Sequence, residues 1–140
     1  MTDIKHLVKI KASPEKVYKA ITTQDGLIAW WTPQVEAAPF LGSIAKFGFG
    51  STYYKKMKIK DLAMNKRVEW DCLEAVEEWI GTKIIFTLEK TEAGSTLRFE
   101  HNDWEGFSDM FSQCSFDWGR FLMSLKKYCE TGEGKPYPLD

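Results

Sequence analysis

Most of the features that declare a chemistry are scarce or missing in this sequence. Cysteine occurs only at Cys72, Cys114 and Cys129. The number is odd, the spacing is wide and there is no CxxC pair, so neither a disulfide framework nor a zinc ribbon is signalled. Reduced thiols in a cytoplasmic protein are the expectation. No Cys, His or carboxylate cluster stands at metal-ligand spacing, so neither a metal nor any other cofactor is expected. Charge of one sign is missing too: 19 Lys+Arg balance 20 Asp+Glu, a formal net charge of -1. A nucleic-acid binder needs a field of cations to neutralise phosphates, so no nucleic-acid partner is expected. Long apolar runs are absent. The longest, Leu27 to Trp31, falls far short of the roughly 20 residues of a membrane span. The stretch from Met1 to Lys11 alternates polar with apolar and lacks the continuous apolar stretch of a signal peptide. No GxSxG elbow, P-loop or GxGxxG occurs, and Gly48-Phe49-Gly50-Ser51 matches none of them.

Aromatic residues are what the chain has in excess. There are 6 Trp, 5 Tyr and 9 Phe, 14% of the sequence. Such side chains either fill a core or line a hollow one. At 140 residues one domain, spanning 1–140, is expected, large enough to bury about two-thirds of its unfolded surface.

Periodicity sets the order of elements. Ile4 to Lys11 alternates strictly and reads as a half-buried strand. Ser13-Pro14-Glu15 supplies a capping hydroxyl, a proline for the first helical position and an acid at the positive end. Val17, Tyr18 and Ile21 share a face of the short helix that follows. Asp25-Gly26 is expected to break it, with Leu27 to Trp31 forming a second helical turn before Pro33. Strands follow at Ser43–Phe49, Tyr54–Leu62, Arg67–Glu74, Trp79–Lys90 and Ser95–Asn102, joined by turn residues at Gly50-Ser51, Asn65-Lys66 and Ala93-Gly94. That spacing predicts an antiparallel meander. Ile80, Ile84, Phe86 and Leu88 should share a face, as should Val68, Trp70 and Cys72, and Leu97, Phe99 and His101. From Phe107 the period changes. Phe107, Phe111, Cys114, Trp118, Phe121, Leu122, Leu125 and Cys129 recur at steps of three and four, the stripe of one long helix. Thr131-Gly132 and Pro136 stop it. Gly119 conflicts locally, costing about 1 kcal/mol against Ala, and admits either a close contact or a bend. The sheet's apolar face and the helix's stripe must cover each other, an α+β architecture.

This order resembles the START-like (SRPBCC, helix-grip, Bet v 1-like) superfamily, and within it the family related to the C-terminal domain of the Hsp90 ATPase activator. The resemblance rests on Ala12-Ser13-Pro14-Glu15-Lys16-Val17-Tyr18, on Leu27-Ile28-Ala29-Trp30-Trp31-Thr32-Pro33, on Leu97-Arg98-Phe99-Glu100-His101 and on Phe121 to Tyr128. It covers nearly the whole chain. It implies a curved antiparallel sheet gripping the C-terminal helix, with two short helices after the first strand and a cavity between sheet and helix. In many relatives that cavity holds a lipid, a hormone or a polyketide.

Three functions are weighed. The leading expectation is a non-catalytic binder of a small hydrophobic or amphipathic ligand, with His6, Trp30, Trp31, Trp70, Phe86, Phe99, His101, Phe111, Cys114 and Trp118 lining the cavity. The second is a chaperone-associated module, with a chaperone as partner. The third is a cyclase, dehydratase or hydrolase using the same cavity, although Glu69, Asp71, Glu89 and Glu100 alternate outward and no catalytic residue is assigned. His6 and His101 fall on apolar faces of strands that pair in the family fold. They are either polar anchors for a ligand or structural histidines satisfied within the protein, the second being preferred. Trp30 and Trp31 are expected at the cavity mouth and Cys114 in its wall. The run Lys55, Lys56, Lys58, Lys60, Lys66 and Arg67 precedes Glu69, Asp71, Glu74, Glu77 and Glu78, which reads as cross-strand pairing or as a docking surface, the first being preferred.

Overall fold

Alternation of polar and apolar side chains builds most of the molecule. In the computed structural model, which describes residues 2–139, β1 (Thr2–Ile10) buries Ile4 and Ile10 and exposes Leu7. Ser13 Oγ then accepts the Lys16 backbone N–H at 3.2 Å and starts α1 (Pro14–Thr22) with proline in its first turn. A second helix, α2 (Gln24–Trp30), follows at once. The break between them is at Thr23, not at Asp25-Gly26. Thr23 donates its N–H to the Lys19 carbonyl to end α1, and its Oγ1 accepts the Gly26 N–H at 3.1 Å to begin α2. Gly26 lies inside α2 for a different reason. A Cβ there would come within 2.6 Å of the Ala20 backbone, so glycine lets the two helices close on each other.

The strands β2 (Gln34–Glu36), β3 (Ile44–Gly48), β4 (Tyr54–Ala63), β5 (Arg67–Glu74), β6 (Lys83–Thr91) and β7 (Gly94–Trp104) join β1 in one 7-stranded sheet. Its order is β1-β7-β6-β5-β4-β3-β2, antiparallel throughout. β2 escapes the sequence reading because it has one inward residue, Val35, too few to show a period. The strand expected over Trp79–Lys90 is shorter. Glu77–Trp79 form a 3₁₀ turn and Gly81 turns the chain at φ +86°, so Ile80 is 54% exposed while Ile84, Phe86 and Leu88 keep the inner face. On the outer face Lys56 pairs with Glu74 at 3.0 Å, and Arg67 with Asp61 and Glu69 at 2.7 Å each. Such exposed pairs contribute about 1 kcal/mol or less apiece.

The long helix α3 (Asp109–Thr131) lies across the inner face, packed on β1, α1 and α2. Ser108 Oγ caps it by accepting the Phe111 N–H at 3.1 Å, so Phe107 lies before the helix and is 80% exposed instead of joining the stripe. Trp118, Phe121, Leu122, Leu125 and Cys129 are buried, and Gly132 ends the helix at φ +90°. No close contact requires glycine at Gly119. An added Cβ would meet only His6 Cε1, at an ordinary 3.8 Å. No helix among the described residues is long and apolar enough to cross a membrane.

Candidate functional site

Aromatic residues fill one half of the space between sheet and helix and leave the other half open. In the filled half Trp30, Trp70, Phe86 and Phe99 are buried to 1% exposure or less. Phe86 meets Trp30, Trp70 and Phe99 edge to face, with centroids 6.4, 5.1 and 5.3 Å apart. Trp30 does not stand at a mouth: its indole N–H donates to the Ala20 carbonyl at 2.7 Å, deep in the core. None of these four borders the cleft at the other end.

The open half is a cleft of about 450 Å³ beneath the first turns of α3. Trp31, Phe49, Val76, Trp79, Met110, Trp118, Phe121 and Leu139 give it apolar walls, and Tyr53, Lys55, Cys114, Asp117, Arg120 and Tyr137 bring polar groups to it. The segment after α3 closes one side. Tyr137 donates its N–H to the Trp31 carbonyl at 2.7 Å, Lys135 donates its N–H to Ser124 Oγ at 2.7 Å, and the Arg120 guanidinium donates to the Leu139 carbonyl. The Tyr137 ring stands edge-on to Phe49, centroids 5.4 Å apart. Of the residues expected to line a cavity, Trp31, Cys114 and Trp118 are here. Phe111 packs instead on Trp104 and Phe107, at 5.3 and 5.2 Å.

Lys55 is the charged residue that the sheet brings to the cleft. It stands opposite the fully buried Phe47 and two residues before inward Met57, so it faces the helix while Lys56, Lys58 and Lys60 belong to other phases of β4. Its Nζ donates to the Tyr53 hydroxyl at 3.0 Å, and that same oxygen accepts the Val76 N–H at 3.0 Å. The ammonium lies 4.0, 4.6 and 4.9 Å from the ring centroids of Trp79, Tyr53 and Phe49, a cage of cation–π contacts. Among the described residues it has no salt-bridge partner.

The histidines separate in space and role. β1 and β7 pair as expected, but His6 stands opposite Phe99 and Ile4 opposite His101. His101 is fully buried. Its Nε2–H donates to Thr82 Oγ1 at 2.8 Å, which in turn donates to the Trp79 carbonyl, and its Nδ1 accepts the Trp118 indole N–H at 3.0 Å. Both ring nitrogens are used, one as donor and one as acceptor, which requires neutral imidazole. Burial, with the Lys55 charge adding to it, pushes the pKa down to about 3. His6 lies on the flank of α3, its Nε2–H donating to the Ser115 carbonyl at 3.1 Å, beside Phe116, Gly119 and Met123.

Cys114 Sγ accepts the Trp79 indole N–H at 3.3 Å, and burial raises its pKa despite that bond and the Lys55 charge. Burial pushes Cys72 and Cys129 up to about 11. Cys114 and His101 therefore do not act on each other as nucleophile and base: each is bonded to tryptophan. Among the described residues no group of three or more His, Cys, Asp or Glu side chains could hold a metal ion.

A sheet curved round one long helix, with an aromatic-walled cleft at one end, defines a helix-grip domain. The chain belongs to the family described as Activator of Hsp90 ATPase homolog 1-like protein, which matches residues 11–130. The solution structure of the Aha1 dimer from Colwellia psychrerythraea is 41% identical, with a TM-score of 0.88 over 96% of this chain and 100% of that one. Two more distant structures share the fold. A Staphylococcus saprophyticus protein is 17% identical, with a TM-score of 0.81 over 96% of each chain. An AHSA1-like protein from Aeromonas hydrophila is 12% identical, with a TM-score of 0.72 over 91% of each chain. No curated protein matches at a significant level.

Proposed function

We propose that this domain binds a small hydrophobic or amphipathic molecule in the cleft and does not transform it. The observation that carries the reading is the combination of an apolar, aromatic wall with a few convergent polar groups, the composition of small-molecule sites, in a volume of about 450 Å³. The aromatic core beside it is buried and does not border the cleft, which supports binding at the end of the molecule where Trp31, Trp79 and Trp118 meet Lys55. Cys114→Phe tests this. The new ring projects into the cleft, so an apolar dye that brightens on binding wild-type protein should bind the variant at least tenfold more weakly. Undiminished dye binding by a folded variant would remove the cleft as the site.

A chaperone-associated role is the second reading, favoured by the family and by a feature remote from the cleft. Phe40 and Leu41 are each 67% exposed in the segment before β3, whose next residues, Gly42 and Ser43, bond to the Ile59 backbone of β4 between Lys58 and Lys60; neither lysine has a salt-bridge partner among the described residues. If that surface serves a chaperone, Phe40→Ser with Leu41→Ser should abolish stimulation of an Hsp90 ATPase and leave dye binding intact. Unchanged stimulation would remove this surface from the reading.

A further inference from the structure

We infer that the ligand's polar end is an anion, most simply the carboxylate of a medium-chain amphipathic acid, and that Lys55 and Tyr53 receive it. This rests on the cleft being the binding site and adds to it the chemistry and orientation of the occupant. An ammonium has three N–H donors. At Lys55 one goes to the Tyr53 hydroxyl, and aromatic faces surround the rest at 4.0 to 4.9 Å. Tyr53 is in a complementary state. Its oxygen already accepts two hydrogen bonds, from Lys55 and Val76, while its own O–H proton has no acceptor among the described residues. Among the described residues, the remaining Lys55 N–H groups thus meet only aromatic faces, and the adjacent Tyr53 O–H has no acceptor. A carboxylate has two oxygens and accepts from both, in a half-buried setting where charge-assisted bonds are strong.

The other charges of the cleft set the direction of the ligand. Asp117 accepts the Gln113 side-chain amide at 3.0 Å and repels an anion brought to its side of the cleft. Arg120 is exposed to solvent, which weakens its pull on an anion relative to the half-buried Lys55. The head therefore belongs at Lys55 and the tail along Trp31, Trp118 and Phe121.

The test compares decanoate, decanol and decylammonium, which share one tail, by tryptophan fluorescence titration of wild-type protein, Lys55→Met and Arg120→Met. Wild type should bind decanoate about tenfold or more tightly than decanol, and decylammonium most weakly. Lys55→Met should abolish the preference for decanoate over decanol. Arg120→Met should keep the preference. Thermal melts establish that each variant is folded, and Tyr53→Phe, which should lose part of the preference, serves in place of Lys55→Met if that variant unfolds. Equal binding of decanoate and decanol by wild type would overturn the anion assignment and leave the cleft reading standing. A preference lost in Arg120→Met but kept in Lys55→Met would also overturn it. Binding of none of the three would overturn both.

Discussion

The two ends of the inner face are built from the same kind of residue and do opposite things. Around Phe86 the aromatic rings interlock, and the Trp30 indole nitrogen is satisfied by a backbone carbonyl. Around Trp79 the rings also touch, Trp79 with His101 at 4.5 Å and Trp31 with Trp118 at 5.2 Å, but a cation, two tyrosines and a thiol join them at the cleft. Aromatic content alone does not tell a core from a pocket. What distinguishes them is the inward Lys55, whose charge is left without an ion pair where a solid core would demand one.

The contrast predicts unequal costs of truncation. Trp70→Ala removes a ring enclosed on every side and should cost about 3–5 kcal/mol. Phe49→Ala removes a half-buried ring at the cleft wall and should cost less than half as much, read by urea denaturation of both variants. Equal losses would mean that the cleft is packed as tightly as the core.

His101 gives the next effect, through pH. Its folded pKa of about 3 lies below the ordinary value of 6.5, so the unfolded chain takes up a proton that the native chain refuses. Stability present above pH 6.5 is therefore lost as pH falls toward 3, at a slope approaching about 1.4 kcal/mol per pH unit. Denaturation of wild type and His101→Gln across that window should show the wild type losing more. Parallel curves would contradict a buried neutral imidazole.

Cys114→Phe should change stability by about 1 kcal/mol or less, since the ring enters open space and only a weak sulfur acceptor for Trp79 is lost. Overpacking losses of about 3 kcal/mol would show the space is filled. The smallest effect is Gly119→Ala. The new methyl meets only His6 Cε1 at 3.8 Å, so better helix propensity should raise stability by up to about 1 kcal/mol in the same assay.

Periodicity made the sheet and the long helix legible, because burial of one face is a local constraint that each residue reports. The cleft was less legible. Trp31, Cys114 and Trp118 reach it, but Trp30, Trp70, Phe86, Phe99 and His101 share the same inward phase and are enclosed. Inward phase tells which face a residue is on, not whether a second layer fills the space above it. Lys55 was within reach of the same argument. Counting back by twos from Ile59 and Met57 arrives at Lys55 and Tyr53, yet charge alone groups Lys55 with its outward neighbours. Tyr137 and Leu139 carried no signal, since they have no period and are positioned by contacts with Trp31 and Arg120 far back in the chain.

The indole N–H groups report directly on both regions. Trp79 donates to Cys114 in the cleft wall, and Trp30 donates to the Ala20 carbonyl in the core. In a two-dimensional ¹H–¹⁵N spectrum titrated with decanol, the Trp79 indole resonance should shift in a saturable manner while that of Trp30 stays in place. A Trp79 resonance that does not move, or a Trp30 resonance that moves alone, would contradict a ligand site at the open end of the grip.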